Sequence, residues 1–239
     1  MLKQLLHACL WSKRHLSGHY KVPELEYLRR FISENGISVD IGAHAGAWLF
    51  PLAKLSNKGH VYGFEALPYY AQVLRLTAKL VGPKNLTVVN CAVTEGGHTL
   101  EKLVWKDTSG KRLTGFTHLA GASETNQRCV HVPTVTLDEY FKEERRKIQF
   151  IKCDVEGAEA RVFRGAQMTL QRHRPVIYTE LVDSYLSRYG HSLVDVFSLF
   201  GKLNYLPFRF CHGMKILPVD GPRGHQGNDI LFIPNEYRS

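Results

Sequence analysis

Val39-Asp40-Ile41-Gly42-Ala43-His44-Ala45-Gly46, V-D-I-G-A-H-A-G, decides how the rest of the 239-residue chain is read. The run Gly36-Ile37-Ser38-Val39 leads into it, a carboxylate stands at Asp40, and glycines follow at 42 and 46 before a helix-like segment. This is the pattern of a strand, a tight glycine turn and a helix start. Glycine lets backbone approach a ligand where a Cβ would obstruct it, and the helix that follows aims its free N–H groups at the same place.

Upstream of this turn, residues 23–35 set Leu25, Leu28, Phe31 and Ile32 on one helical face, with Pro23 in the first turn and a stop at Asn35-Gly36. Downstream, a helix runs to about Leu55 and must begin near Ala47 or Trp48, because Pro51 is tolerated only in a first turn. His60 to Phe64 reads as a second strand ending in Glu65, Pro68 to Val81 as a helix, and Asn85 to Asn90 as a third strand. Successive β-α repeats predict right-handed crossovers and a parallel sheet with its ligand at the carboxyl ends of the strands. The edge of the site therefore falls at Asp40, Glu65 and the Asn90-Cys91-Ala92 turn.

Beyond it, Glu95 to Arg128 is irregular and rich in Gly, Thr and Ser, with strands expected near 98–105 and 129–136. Long irregular segments inside a domain are commonly functional, so this stretch reads as a substrate-facing insertion or lid. Order returns with a capped turn at 136–141, a strand from Ile148 to Val155 and a helix from Ala158 to Arg172 divided at Gly165. Another strand spans Pro175 to Leu181, a helix Leu193 to Leu203, and a final antiparallel pair Tyr205 to Cys211 and Asp229 to Pro234. The expected fold class is α/β: a mostly parallel, twisted, seven-stranded sheet, helices on both faces and an antiparallel C-terminal edge. Residues 1–36 form an N-terminal helical extension and 37–239 a single domain, with the insertion at 95–128.

Composition narrows the function. A chain of 27.2 kDa with 44% hydrophobic and 11% aromatic residues has material for one core, which excludes disordered and fibrous classes. No apolar run approaches the ~18 to 20 residues of a membrane span, and Lys3, His7, Lys13 and Arg14 interrupt the N-terminal one. That segment reads as a peripheral amphipathic helix, consistent with peripheral membrane contact. Five scattered cysteines without a C-x-x-C pair argue against a disulfide framework or a zinc site and suit a reducing, cytoplasmic compartment. The Asn85-Leu86-Thr87 sequon is then incidental. The charge of +9 is dispersed among both signs, as in Lys142 to Lys147, and no basic, aromatic-interleaved motif points to specific nucleic-acid binding.

Glu65 stands 23 residues after Gly42. A carboxylate at the end of a second strand, about 20 residues beyond a glycine turn, is placed to accept hydrogen bonds from both hydroxyls of a ribose. The turn is D-x-G-x-x-x-G and lacks the third glycine of the dinucleotide fingerprint. Asp40 would repel a diphosphate and attract an ammonium or a sulfonium. S-adenosylmethionine carries both. A second acidic stretch, I-K-C-D-V-E-G-A-E from Ile151 to Glu159, gathers Asp154, Glu156 and Glu159 where the fourth strand ends. These carboxylates can bind a divalent metal, act as a base or orient a hydroxyl, or can cap the next helix through its dipole. Chemistry is assigned to Asp154 and structure to Glu159, with Glu156 open between the two.

Taken in order and spacing, V-D-I-G-A-H-A-G, V-Y-G-F-E-A, N-C-A-V, T-V-T-L-D-E-Y and I-K-C-D-V-E-G-A-E resemble the FkbM-type methyltransferases, over Val39 to Leu181. The resemblance implies a Rossmann-like class I methyltransferase fold and S-adenosyl-L-methionine as cofactor. It implies that Asp40, Gly42, Ala43 and Gly46 hold the methionine part, Glu65 the ribose and Ala92 the adenine edge, with Asp154 near the transferred methyl. It further implies O-methylation of a hydroxyl on a carbohydrate or small-molecule acceptor. Two departures are His44, where the family has Asn, and Ala66, where it has Pro. Asp154 and Glu156 are the catalytic candidates, with Glu180 and His131 behind them. A nicotinamide-dependent oxidoreductase of similar fold and a catalytically silent nucleoside-binding module are the rival readings. The acceptor, the metal dependence and the oligomeric state are not written in the sequence.

Overall fold

The computed structural model describes residues 1–106, 118–119, 128–211, 215–225 and 227–237. The chain opens with α1 (Leu2–Leu16) and α2 (Glu24–Leu28), then enters β1 (Ile37–Ile41), α3 (Leu49–Leu55), β2 (His60–Phe64), α4 (Pro68–Val81) and β3 (Leu86–Val89). Four short or exposed strands follow: β4 (Ala92–Val93), β5 (Leu100–Lys106), β6 (His118–Leu119) and β7 (Arg128–Val135). After α5 (Leu137–Tyr140) come β8 (Ile148–Cys153), α6 (Glu159–Arg164), α7 (Gln167–His173), β9 (Val176–Glu180), α8 (Asp183–Leu186) and α9 (Leu193–Lys202). The chain ends through β10 (Tyr205–Cys211), β11 (Lys215–Pro218) and β12 (Asp229–Pro234).

The main sheet has the order β11-β10-β12-β9-β8-β1-β2-β3. Strands β3, β2, β1, β8 and β9 run parallel, β12 is antiparallel to β9, and β10 is antiparallel to β12. Beyond the seven expected strands, β11 pairs with β10 as an eighth at the edge. All five residues of β1 are buried, as a strand covered by helices on both faces must be. Ile37, Val39 and Ile41 face one core with Phe163 and Phe200, whereas the core on the other face holds Leu49, Leu52, Leu74 and Trp11. Ser38 and Asp40 alternate with the first set and so point toward the α1, α3 and α4 side. The chain order reverses at β1, between β2 and β8, which opens a crevice at their carboxyl ends.

The strands flanking the insertion lie where expected, as β5 and β7, and pair antiparallel in a second sheet of order β4-β7-β5-β6. The lid assigned to 95–128 falls largely on 107–117 and 120–127, outside the described residues. The helix expected over 23–35 is shorter. It ends in a 3₁₀ turn at Phe31, and Ile32 is extended. The reason is tertiary: the Ser33 amide and hydroxyl donate to Gln149 Oε1, and Gln149 Nε2 donates back to the Ser33 carbonyl. Those bonds replace the ones a longer helix would make. The N-terminal segment is helical as expected and packs on α4, where Trp11 stacks on Tyr70 at 5.8 Å.

Candidate active site

Three strand ends are tied to one another by backbone. The Gly42 and Ala43 amides both donate to the Phe64 carbonyl at 2.9 Å, and the Asp154 amide donates to the Ile41 carbonyl at 3.0 Å. Gly42 (φ +82°) and Gly46 (φ +78°) occupy the left-handed region. A Cβ on Gly42 would meet the Asp154 carbonyl, and one on Gly46 would press into Phe50 and Leu74 at 2.6 and 2.8 Å. The glycines therefore let the turn close onto its neighbours. His44 also has positive φ, +40°, and its strain is offset in part by its amide donating to Glu65 Oε2 at 2.9 Å.

Glu65 leaves β2 into this turn. Its Oε1 accepts from the Leu67 amide at 2.8 Å, so each oxygen already holds one backbone N–H. Burial pushes its carboxyl up to about 7, against the opposing pull of the Leu67 and His44 amides. A carboxylate has about four acceptor positions, so one lone pair on each oxygen stays open, as two ribose hydroxyls require. Asn90 Nδ2 anchors the next turn by donating to the Glu65 and Ala66 carbonyls at 2.8 and 2.9 Å.

These elements line a cleft whose wall includes Gly42, Glu65, Ala92, Asp154 and Glu156. The rest of the wall is mostly apolar. Tyr70 and Cys91 contribute to it, and Leu103 and Leu119 come from β5 and β6. A second cleft is bounded by Trp48, Lys152, Asp154, Tyr178, Glu180 and Asp229, with Lys21 and Glu24 from the N-terminal segment. Asp154 lies on both walls.

Asp40, Ala43 and Gly46 stand behind the first wall rather than on it. Asp40 is 1% exposed, and neither of its oxygens makes a hydrogen bond of full geometry. Its nearest countercharge is Lys152, beside it in register on β8, with Nζ 3.9 Å from Oδ1. Burial pushes the Asp40 carboxyl up to about 6, with the Lys152 ammonium opposing. Lys152 Nζ also donates to Asp154 Oδ2 at 3.0 Å. Burial alone would lower the Lys152 pKa, but the Asp154 and Asp40 carboxylates raise it, so it stays an ammonium. The attraction that the sequence reading assigned from Asp40 to a cationic ligand is thus taken up within the protein.

Carboxylate oxygens of Asp154, Glu156 and Glu180 lie within 4.8 Å of one another, the arrangement a divalent cation uses. Such a cation would compete with Lys152 for Asp154 Oδ2. Burial and the neighbouring Asp154 and Glu180 charges push Glu156 up to about 8. Burial and Asp154 also raise Glu180, whose Oε1 accepts from Asn228 Nδ2 at 3.0 Å. Glu159 is structural as expected: Oε1 accepts from the Val155 and Gly157 amides at 2.9 and 3.3 Å. His131, on exposed backbone of β7, lines neither cleft. His44 packs its ring against Tyr70 and Trp11, at 4.8 and 5.6 Å.

Residues fit S-adenosylmethionine in three respects: a mostly apolar slot at the carboxyl ends of the strands, open lone pairs on Glu65, and carboxylates at the far end to face ammonium and sulfonium. Sequence reading missed Lys152, Tyr70, Trp48, Tyr178, Leu103 and Leu119. Lys152 alone carried a signal, the one charged residue within the strand I-Q-F-I-K-C.

The strand order, with β1 between β8 and β2 and an antiparallel β12 inserted before β10, is that of class I S-adenosylmethionine-dependent methyltransferases. The Methyltransferase FkbM domain matches residues 40–207, and the chain belongs to that family. Among solved structures, methyltransferase FkbM from Methylobacillus flagellatus KT superposes with a TM-score of 0.52 at 17% identity, over 84% of this chain and 44% of that one. The chain thus spans less than half the length of that structure. An S-adenosylmethionine-dependent methyltransferase from Aquifex aeolicus aligns over 88% of this chain and 87% of its own, at 13% identity and a TM-score of 0.46. A search of curated proteins finds no match.

Proposed function

We propose that the protein is an S-adenosylmethionine-dependent O-methyltransferase acting on a hydroxyl of a sugar or small-molecule acceptor. The observation that carries this reading is Asp154, standing between a mostly apolar cleft and a polar one. The first cleft takes the cofactor, with Glu65 on the ribose, Ala92 at the adenine edge and Gly42 under the methionine part. Ala43, Gly46 and Asp40 shape that turn from behind. S-adenosylmethionine, when bound, supplies an electrophilic methyl group on a sulfonium sulfur.

The acceptor enters from the second cleft, which the contacting rings of Trp48 and Tyr178 help to line. An aliphatic hydroxyl is a poor nucleophile until its proton begins to leave, and Asp154 accepts that hydrogen bond. Lys152 orients Asp154 through the 3.0 Å hydrogen bond from its Nζ to Oδ2. Glu156, whose proton affinity is raised to about 8, is the group nearby that keeps the released proton. Holding the two reactants in line across Asp154 is worth ~7 to 11 kcal/mol of barrier in favourable cases.

Incubation with methyl-labelled S-adenosylmethionine and a panel of polyols, glycosides, phenols and primary amines tests the reading. Label is expected in an ether product. Label appearing only in amine acceptors would replace oxygen by nitrogen as the nucleophile, and an absence of cofactor binding would remove the reading altogether.

A further inference from the structure

The inner face of α1 is made of Ala8, Trp11 and Ser12, which are buried against the domain. Its outer face is made of leucines. Leu2, Leu6 and Leu10 repeat at every fourth residue and are 71%, 62% and 46% exposed, flanked by Leu5, Leu16 and the free Cys9. Leu80 on α4 is also exposed, one turn beyond Thr77, whose hydroxyl reaches the Ala8 carbonyl. Residues at this spacing lie on one stripe of a helix, so α1 carries apolar side chains outward as well as inward, where an ordinary surface helix turns polar ones to solvent. A contiguous exposed apolar stripe marks a surface that is covered in use.

The charge around the stripe selects what covers it. Residues 1–23 contain Lys3, Lys13, Arg14 and Lys21, and no Asp or Glu. Lys13 and Lys3 sit on the exposed side among the leucines. Applying a second copy to the same face would bring these lysines against their equivalents. A bilayer with acidic headgroups accepts both parts, since the leucines reach the acyl boundary while the cations stay at the phosphates. We infer that α1 is an interfacial helix that docks the protein on an anionic lipid surface through Leu2, Leu5, Leu6, Leu10 and Leu16. The inner face of the same helix holds the glycine turn, with His15 Nε2 2.8 Å from the Ala45 carbonyl oxygen, so docking sets the cofactor end of the sheet beside the lipid.

Cosedimentation of the full chain with vesicles tests this, using phosphatidylcholine alone and phosphatidylcholine with about a third phosphatidylglycerol. Binding is expected with the anionic vesicles, to weaken between about 0.1 M and about 1 M salt, and to be slight with neutral ones. Replacing Leu2, Leu6 and Leu10 together by Gln removes only outward side chains and is expected to weaken binding roughly a hundredfold. Lys3→Glu with Lys13→Glu is expected to weaken it and flatten the salt dependence. Matching thermal melting curves check that both variants stay folded. The inference is overturned if the wild-type chain stays in the supernatant with anionic vesicles, or if the leucine variant binds them equally well. A dimer in sedimentation velocity that the leucine variant dissolves would overturn it in favour of a second copy.

Discussion

Replacing Lys152 by Met removes the buried cation that joins Asp40 to Asp154. The methionine keeps most of the apolar volume of the lysine stem, so the loss is chiefly one of charge. Asp154 is 36% exposed and water can take over its solvation, but Asp40 is 1% exposed and has no other countercharge among the described residues. Removing one partner of a buried pair costs about 3 to 5 kcal/mol, because the remaining charge is left uncompensated. In a domain of this size that is a fall in Tm of roughly 6 to 20 °C. The carboxyl of Asp40 is already raised to about 6, and without Lys152 it rises further. A carboxyl raised on folding binds more protons in the native state, so its contribution is full below the unfolded value and is lost as pH rises through the folded one. Lys152→Met should therefore lose less stability at pH 5 than at pH 8. Adding Asp40→Asn should recover much of the loss, and urea denaturation of the four-member cycle measures the coupling. The reasoning is refuted if Lys152→Met lies within about 1 kcal/mol of the wild type, or if the double variant is no more stable than Lys152→Met alone.

Glu65→Gln, which keeps the shape but turns one acceptor into a donor, is expected to reduce S-adenosylmethionine affinity by at least tenfold in calorimetry; unchanged affinity would detach Glu65 from the ribose. Gly42→Ala forces a Cβ onto the Asp154 carbonyl at φ +82°, and should lower both Tm and cofactor binding, whereas a variant with normal values of both would show that the turn can relax. Glu156 must be ionised to take up a proton, so turnover should rise with pH toward a plateau above about 8, and Glu156→Gln should flatten that profile while leaving cofactor affinity in place.

Local sequence was enough to place β1, its glycine turn and Glu65, because the short apolar run, the glycines at the left-handed positions and the strand-end carboxylate are each set within a few positions. The capped turn at Thr136 was legible for the same reason: its hydroxyl accepts from the Glu139 amide at 3.0 Å. Lys152 was not, since its meaning depends on β8 lying beside β1, a pairing between residues 112 apart at Asp40 and Lys152. Leu103 and Leu119 reach the cleft through a second sheet that no periodicity in the main one announces. In α1 the amphipathic pattern was visible, but which face would be inward was not. The aromatic and small residues won the interior because Trp11 finds Tyr70 and His44 there, leaving the leucines outside.

Asp154→Asn tests the central claim most directly, since among the described residues Asp154 alone lines both clefts, where the proposal places the exchange of proton and methyl. Calorimetry should find S-adenosylmethionine affinity within a few-fold of the wild type, while transfer of labelled methyl to the hydroxylated panel falls by about 10² to 10⁴. Retained transfer in a variant that binds the cofactor normally would contradict the account and remove Asp154 from the chemistry.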